Sequence, residues 1–323
     1  HAQEADRAEP EVVRFENGDL ELAGLWFVPS GEGPFPAAVF IRGSGPSSRD
    51  SYWARAIADV FLDEGVAVLL PDKRGSDGSG GDWRTADFED LAGDALAAVD
   101  YVRGRAEVRG DRVGLVGLSQ GGKIAPVAAS RAGDRVAFVV DFVGAATTLV
   151  EQLSWEMFHT FREEGLEGQA LQEALRLQVA AEKLVRGEYD WGEYERVLTA
   201  ALASPWAEVA EDFPTSPDSW RWDFARRVID FDPLPYWREV TQPVLVFYGE
   251  DDHNAPSVRS VYRLTRAFME EDHPDWTIRV YPDAGHPLWN PESEDPHRPE
   301  LHPDLVELLE TWLGRVTEAV GGP

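Results

Sequence analysis

The chain has 323 residues, 43% of them hydrophobic, with no cysteine and a formal charge of −29. The missing cysteines exclude disulfides, thiolate metal sites and a cysteine nucleophile. The charge argues against nucleic acid and anionic membrane surfaces as partners, because both would repel it. No stretch approaches the roughly 18 uninterrupted apolar residues that a membrane-spanning helix needs. The length allows one large domain or two. The opening His1-Ala2-Gln3-Glu4-Ala5-Asp6 is polar, as a mature N-terminus left after signal cleavage would be. That reading leans towards a secreted or periplasmic location over a cytoplasmic one.

In chain order, two β-like runs come first, Glu11–Phe15 and Leu20–Val28, with Asn17-Gly18 as the hairpin signal between them. Pro34–Ile41 reads as a third strand and leads into the loop Arg42-Gly43-Ser44-Gly45-Pro46. Tyr52–Glu64 reads as helix and Val66–Leu70 as a buried strand. Phe88, Leu91, Ala92, Ala95, Leu96, Val99 and Val102 recur at helical spacing and form one apolar face. Strands are expected at Val113–Val116, Val136–Val143, Val244–Tyr248 and Thr277–Tyr281, with helices near Ser257–Met269 and Leu301–Val316. Such alternation implies βαβ units and a mostly parallel sheet. The alternation breaks between about Ala145 and Glu239, a helical stretch holding Trp155, Trp191, Trp206, Trp220, Trp222 and Trp237. It is too long for a simple loop, so the expectation is a core over 11–144 and 240–318 with a helical cap inserted at 145–239. Most of those tryptophans are expected to form the cap's own core.

The segment richest in chemistry is Val113-Gly114-Leu115-Val116-Gly117-Leu118-Ser119-Gln120-Gly121-Gly122. A buried strand passes through Gly-x-Ser-x-Gly directly into a helix, the context of a nucleophile elbow. Side chains two before and two after the serine would collide in so tight a turn, and glycine removes both collisions. A serine hydroxyl is a weak nucleophile and needs a base, usually an imidazole oriented by a carboxylate. In the elbow architecture these follow in the order Ser, Asp/Glu, His. The acid is sought in Gly249-Glu250-Asp251-Asp252-His253-Asn254-Ala255-Pro256, at the end of a buried strand. Asp252 is preferred, three past the glycine and just before a helix; Asp251 is the near rival and Glu250 a poor third. The base is His286, in the loop Asp283-Ala284-Gly285-His286-Pro287 after the last strand. His1, His159, His253, His273, His297 and His302 are read as structural or solvated. The developing oxyanion needs donors, and the N–H groups of Gln120 and Ser44 are the candidates. Lys73-Arg74-Gly75 and the glycines after it lack the spacing of a phosphate loop; Arg74 is expected to pair with a local carboxylate.

With these motifs the chain resembles the α/β-hydrolase fold, and within it bacterial esterases and serine-aminopeptidase-like hydrolases. The resemblance rests on Arg42-Gly43-Ser44-Gly45-Pro46, Arg49-Asp50, Asp72-Lys73-Arg74-Gly75, Gly117–Gly122, the Gly249–Pro256 segment and Ala284-Gly285-His286. It spans residues 11–145 and 240–318, with the inserted stretch unmatched in detail. Arg42 is a departure, standing where such hydrolases usually carry histidine before the oxyanion glycine. The resemblance implies a mostly parallel central sheet flanked by helices. It further implies a serine hydrolase working by acyl transfer through Ser119, His286 and Asp252, with no metal or cofactor. The expected activity is a carboxylesterase on small-molecule esters that are small to medium and neutral or hydrophobic. A peptide- or amide-cleaving, aminopeptidase-like hydrolase is the alternative, and a non-catalytic ligand-binding homologue a minor one. Oligomeric state is left open.

Overall fold

The structure is a computed structural model describing residues 9–47 and 49–318. The opening residues on which the reading of location rests lie outside this range. Two strands, β1 (Glu11–Asn17) and β2 (Leu20–Phe27), form an antiparallel hairpin. Asn17 pairs with Leu20, so the two-residue loop is Gly18-Asp19, one position later than the dipeptide signal suggested. Six further strands follow: β3 (Phe35–Ile41), β4 (Ala67–Pro71), β5 (Val108–Leu118), β6 (Phe138–Phe142), β7 (Val244–Gly249) and β8 (Trp276–Tyr281). They join the hairpin in one sheet of order β1-β2-β4-β3-β5-β6-β7-β8. β2 runs antiparallel to both its neighbours, and every other pairing in the sheet is parallel.

Every residue of β6 and β7 is buried, as expected for central parallel strands covered on both faces. The two-residue period divides β3 cleanly between the two faces. Ala37 and Val39 point into one apolar cluster with Leu91, Val99 and Ile124, from α2 (Phe88–Arg103) and α3 (Gln120–Ala132). Ala38 and Phe40 point into the other with Ile57, Phe61, Leu305 and Leu309, from α1 (Tyr52–Asp63) and α11 (Pro303–Thr317). β5 begins five residues before the apolar run that signals it, because its first half carries Arg109, Asp111 and Arg112.

Between β6 and β7 the chain forms α4 (Leu149–Glu163), α5 (Gly168–Val185), α6 (Trp191–Leu202), α7 (Ala207–Ala210), α8 (Trp220–Val228) and α9 (Leu234–Glu239). Most of this segment has a core of its own, including Phe161, Leu177, Tyr194, Trp206 and Trp222. Tyr194 and Trp222 meet edge to face, with centroids 5.1 Å apart. Trp155 and Trp220 stay 37% and 43% exposed, so they do not belong to that core. The end of the segment packs differently from the rest. Val228 and Trp237 are already packed into the sheet's cluster, Trp237 edge-on to Phe268 of α10 (Ser257–Glu270) at 5.9 Å. Its large apolar ring gains more from the sheet's core than the short helix could bury elsewhere.

Buried polar groups hold the exit from β6 into these helices. The Lys123 ammonium donates to the carbonyls of Ala145 and Thr147 at 2.8 and 2.6 Å. The Tyr248 hydroxyl donates to Gly144 O at 2.6 Å, and Gly144 N–H donates to Asp141 Oδ1 at 3.0 Å. Among the described residues no helix is long and apolar enough to cross a membrane.

Candidate active site

Ser119 sits at the junction of β5 and α3 with φ +54°, a conformation that costs energy for any residue with a Cβ. Packing holds it there. A Cβ on Gly121 would stand 2.0 Å from the Ile41 carbonyl oxygen, so only glycine lets α3 start directly against the end of β3. That contact brings the 42–46 loop beside the serine: a Cβ on Gly43 would lie 3.6 Å from Ser119 Cβ.

The acid and base loops are knitted together at the end of β7. A Cβ on Gly249 would lie 2.1 Å from Ala284 O, so the glycine admits the second loop against the strand. Backbone bonds then join them, Glu250 N–H to Tyr281 O at 2.9 Å and Asp251 N–H to Ala284 O at 3.0 Å. Asp252 is 1% exposed. Its Oδ1 accepts from the N–H groups of Asn254 and Ala255, both at 2.8 Å. Its Oδ2 lies 2.8 Å from His286 Nδ1, and His286 Nε2 lies 2.8 Å from Ser119 Oγ. The structure thus brings Ser119, His286 and Asp252 into one hydrogen-bonded line. Asp251 and Glu250 are exposed, and the carboxylate on His286 Nδ1 is that of Asp252.

Such a line can move a proton from the hydroxyl to the imidazole while the carboxylate faces the cation that forms. Gln120 is the first residue of α3, where helical N–H groups lack internal acceptors. Ser44 lies in the loop beside Ser119. Among the described residues neither the Ser44 nor the Gln120 N–H has a backbone acceptor. Arg74 pairs with Asp94 through Nε and Nη2, at 2.7 and 2.8 Å. Arg42 is buried, which lowers its guanidinium; Asp72 and Asp77 act in the opposite direction.

Several neighbours of the line escaped sequence reasoning. Trp53 of α1 sets its ring 5.9 Å from that of His286. Trp155 of α4 donates its indole N–H to Asp252 O at 3.0 Å, and His159 stacks on His253 at 4.2 Å. Glu156, the next residue on α4, is partly buried. Burial raises its carboxyl above the usual range; His286 opposes this and Asp252 adds to it. No local pattern marks these residues, because only the packing of α1 beside His286, and of α4 onto the 252–253 turn, brings them near. Lys73 is also close: its ammonium donates to Gly43 O, and to Gln120 Oε1 at 3.2 Å. Burial, and secondarily Arg42, lowers Lys73 to about 7. One signal for it exists in the sequence, since the chain has lysine only at 73, 123 and 183 and otherwise uses arginine.

The fold agrees with what comparison with known proteins finds. The sequence pattern of the alpha/beta hydrolase family matches residues 38–299, and the chain belongs to that family. It is 32% identical over 134 residues to the esterase EstD of Thermotoga maritima, a match covering 39% of this chain and 32% of that protein. It is 22% identical over 267 residues to a dipeptidyl aminopeptidase BIII of Pseudoxanthomonas mexicana, covering 81% of this chain and 32% of the relative. The chain spans a third or less of the length of the curated relatives it matches. Among solved structures it is similar to an esterase of Pyrococcus furiosus. That similarity has a TM-score of 0.58 at 16% identity, covering 95% of this chain and 90% of the other.

Proposed function

We propose that the protein is a carboxylesterase that cleaves small to medium, neutral or hydrophobic esters through an acyl-enzyme on Ser119. The observation carrying this reading is the continuous line from Ser119 Oγ to His286 to Asp252, with both bonds at 2.8 Å. Ser119 attacks the ester carbonyl as His286 Nε2 takes its proton. The negative charge moves to the carbonyl oxygen, where the N–H groups of Ser44 and Gln120 receive it. His286 then gives the proton to the leaving alcohol, and water repeats the sequence to release the acid. The segment 145–239 acts as a cap, a role supported by the contacts of Trp155 with the acid turn. Trp53 and Trp155 give the acyl or alcohol group apolar surface beside the reacting atoms.

Glu156 favours a second reading, cleavage of amides next to a free amine. A partly buried carboxylate near the base would attract a substrate ammonium. Two experiments separate these readings. One is turnover of p-nitrophenyl esters from acetate to laurate; the other is a panel of aminoacyl p-nitroanilides, each run beside Ser119→Ala. The esterase reading expects ester turnover that falls at least about a thousandfold in the variant, with anilides cleaved poorly. Anilide turnover dominating over esters would move the protein to the second reading. A folded Ser119→Ala with near-native rates would remove Ser119 from the chemistry. Failure of a fluorophosphonate to label Ser119 would favour a non-catalytic ligand-binding homologue.

A further inference from the structure

Lys73 lies at the exit of β4, 8% exposed, directly after the buried Asp72. Burying an ammonium is costly unless its protons find acceptors, and those it finds are informative. One is the carbonyl of Gly43, in the loop beside Ser119. Another is Oε1 of Gln120, the residue that follows Ser119, at 3.2 Å. The Lys73 backbone adds a third tie, its N–H donating to Ser47 Oγ at 2.7 Å. Asp72, the preceding residue, grips the same loop through Arg49 Nε at 2.9 Å.

The Gly43 carbonyl and the Ser44 N–H belong to one planar trans peptide unit and point in opposite directions. Fixing that carbonyl therefore fixes where the Ser44 N–H points. A cation on the carbonyl also polarises the unit and strengthens its N–H as a donor. The other acceptor sits on the side chain of Gln120, whose backbone N–H is the second candidate donor. We propose that Lys73 is a positioning residue for the oxyanion site. Its buried ammonium locks the Gly43-Ser44 peptide in the orientation that presents the Ser44 N–H, and tethers it to Gln120. The inference rests on the proposed acyl transfer at Ser119, and it accounts for a buried lysine that the triad does not use.

The oxyanion exists only in the transition state, so loss of a donor's alignment lowers kcat and leaves KM nearly unchanged. Losing an oxyanion donor outright costs about 100- to 1000-fold in kcat, so misalignment through Lys73→Met should cost about 10- to 100-fold. KM for a p-nitrophenyl ester should change less than about threefold. Lys73→Gln keeps an N–H for the Gly43 carbonyl and should retain more activity than Lys73→Met. A trifluoromethyl ketone, which forms an oxyanion adduct with the serine, should lose affinity in parallel with kcat, whereas the matching methyl ketone should not. A defect of folding alone would lower the active fraction, and with it the apparent kcat, while leaving the affinity for both ketones unchanged. Gln120→Leu removes the other acceptor while keeping its backbone N–H, and carries the test if Lys73→Met does not fold; a several-fold loss in kcat is expected. A folded Lys73→Met with kcat within twofold of the wild type would overturn the proposal. So would a rise in KM at constant kcat, or, in the fallback, an unchanged kcat for Gln120→Leu. Ser119→Ala run alongside separates the two levels: retained turnover there sinks the acyl-transfer reading itself, and the role of Lys73 with it.

Discussion

Replacing Asp252 by asparagine tests the acid assignment, and its outcome can be worked from the hydrogen bonds. Oδ1 accepts two backbone N–H groups at 2.8 Å, while Oδ2 faces His286 Nδ1 at 2.8 Å. An asparagine has only one oxygen to offer. If that oxygen turned towards His286, the amide NH2 would face the N–H groups of Asn254 and Ala255. The Asn254 N–H and the buried Ala255 N–H would lose their acceptor, at about 1–3 kcal/mol for the buried one. The oxygen therefore stays with the backbone and the NH2 meets His286 Nδ1. The ring can accept from it only by moving its own proton to Nε2, the atom that must receive the proton of Ser119. The base is then present in the wrong tautomer, and kcat should fall by about 10⁴, or roughly 5 kcal/mol of barrier. Steady-state hydrolysis of a p-nitrophenyl ester, beside a thermal melt, measures both parts. Among the described residues the exposed rival Asp251 joins the site through its backbone N–H to Ala284 O, which asparagine keeps, so Asp251→Asn should stay within about twofold, as surface substitutions usually do. A loss under tenfold at position 252, or a larger loss at 251, would refute this reasoning.

Gly121→Ala places a methyl 2.0 Å from Ile41 O and 3.2 Å from Arg42 O. Overpacking against backbone should destabilise by about 1–3 kcal/mol and move the start of α3 away from the 42–46 loop. The expected result is a lower Tm together with a lower kcat; an unchanged melt and rate would contradict the packing described. Asp141 is wholly buried, which raises its carboxyl to about 7 from 3.8. The native state therefore holds a proton that the unfolded chain has released, and this contribution to stability is lost as pH rises from about 4 to about 7. In Asp141→Asn that loss is absent, so the Tm of the variant relative to wild type should increase across this window. A difference independent of pH would refute the assignment.

Much of the fold was legible in local pattern. β7, and β6 apart from Asp141, are short apolar runs because parallel strands buried on two faces favour apolar side chains at every position. The α2 face could be counted from Phe88 to Val102 because a helix with one buried side repeats at 3.6 residues. The break in alternation after Ala145 coincides with the run of helices α4 to α9, most of whose apolar residues pack on one another. The elbow glycines mark the turn around Ser119 in the sequence, Gly117 through its closeness to Gly121 and Gly122. Other features depend on residues distant in sequence, and no spacing encodes them. Asp252 and Asp251 differ by one residue, but the return of the Ala284–His286 loop against Gly249 brings only the carboxylate of Asp252 to the imidazole. Trp237 reads like the other tryptophans of the insertion until the packing of α9 on α3 and α10 draws it into the sheet's core. Lys73 joins the site from the exit of β4, and Trp155 and Glu156 from α4. Their positions were decided by the sum of packing contacts in the folded chain, which local sequence does not contain.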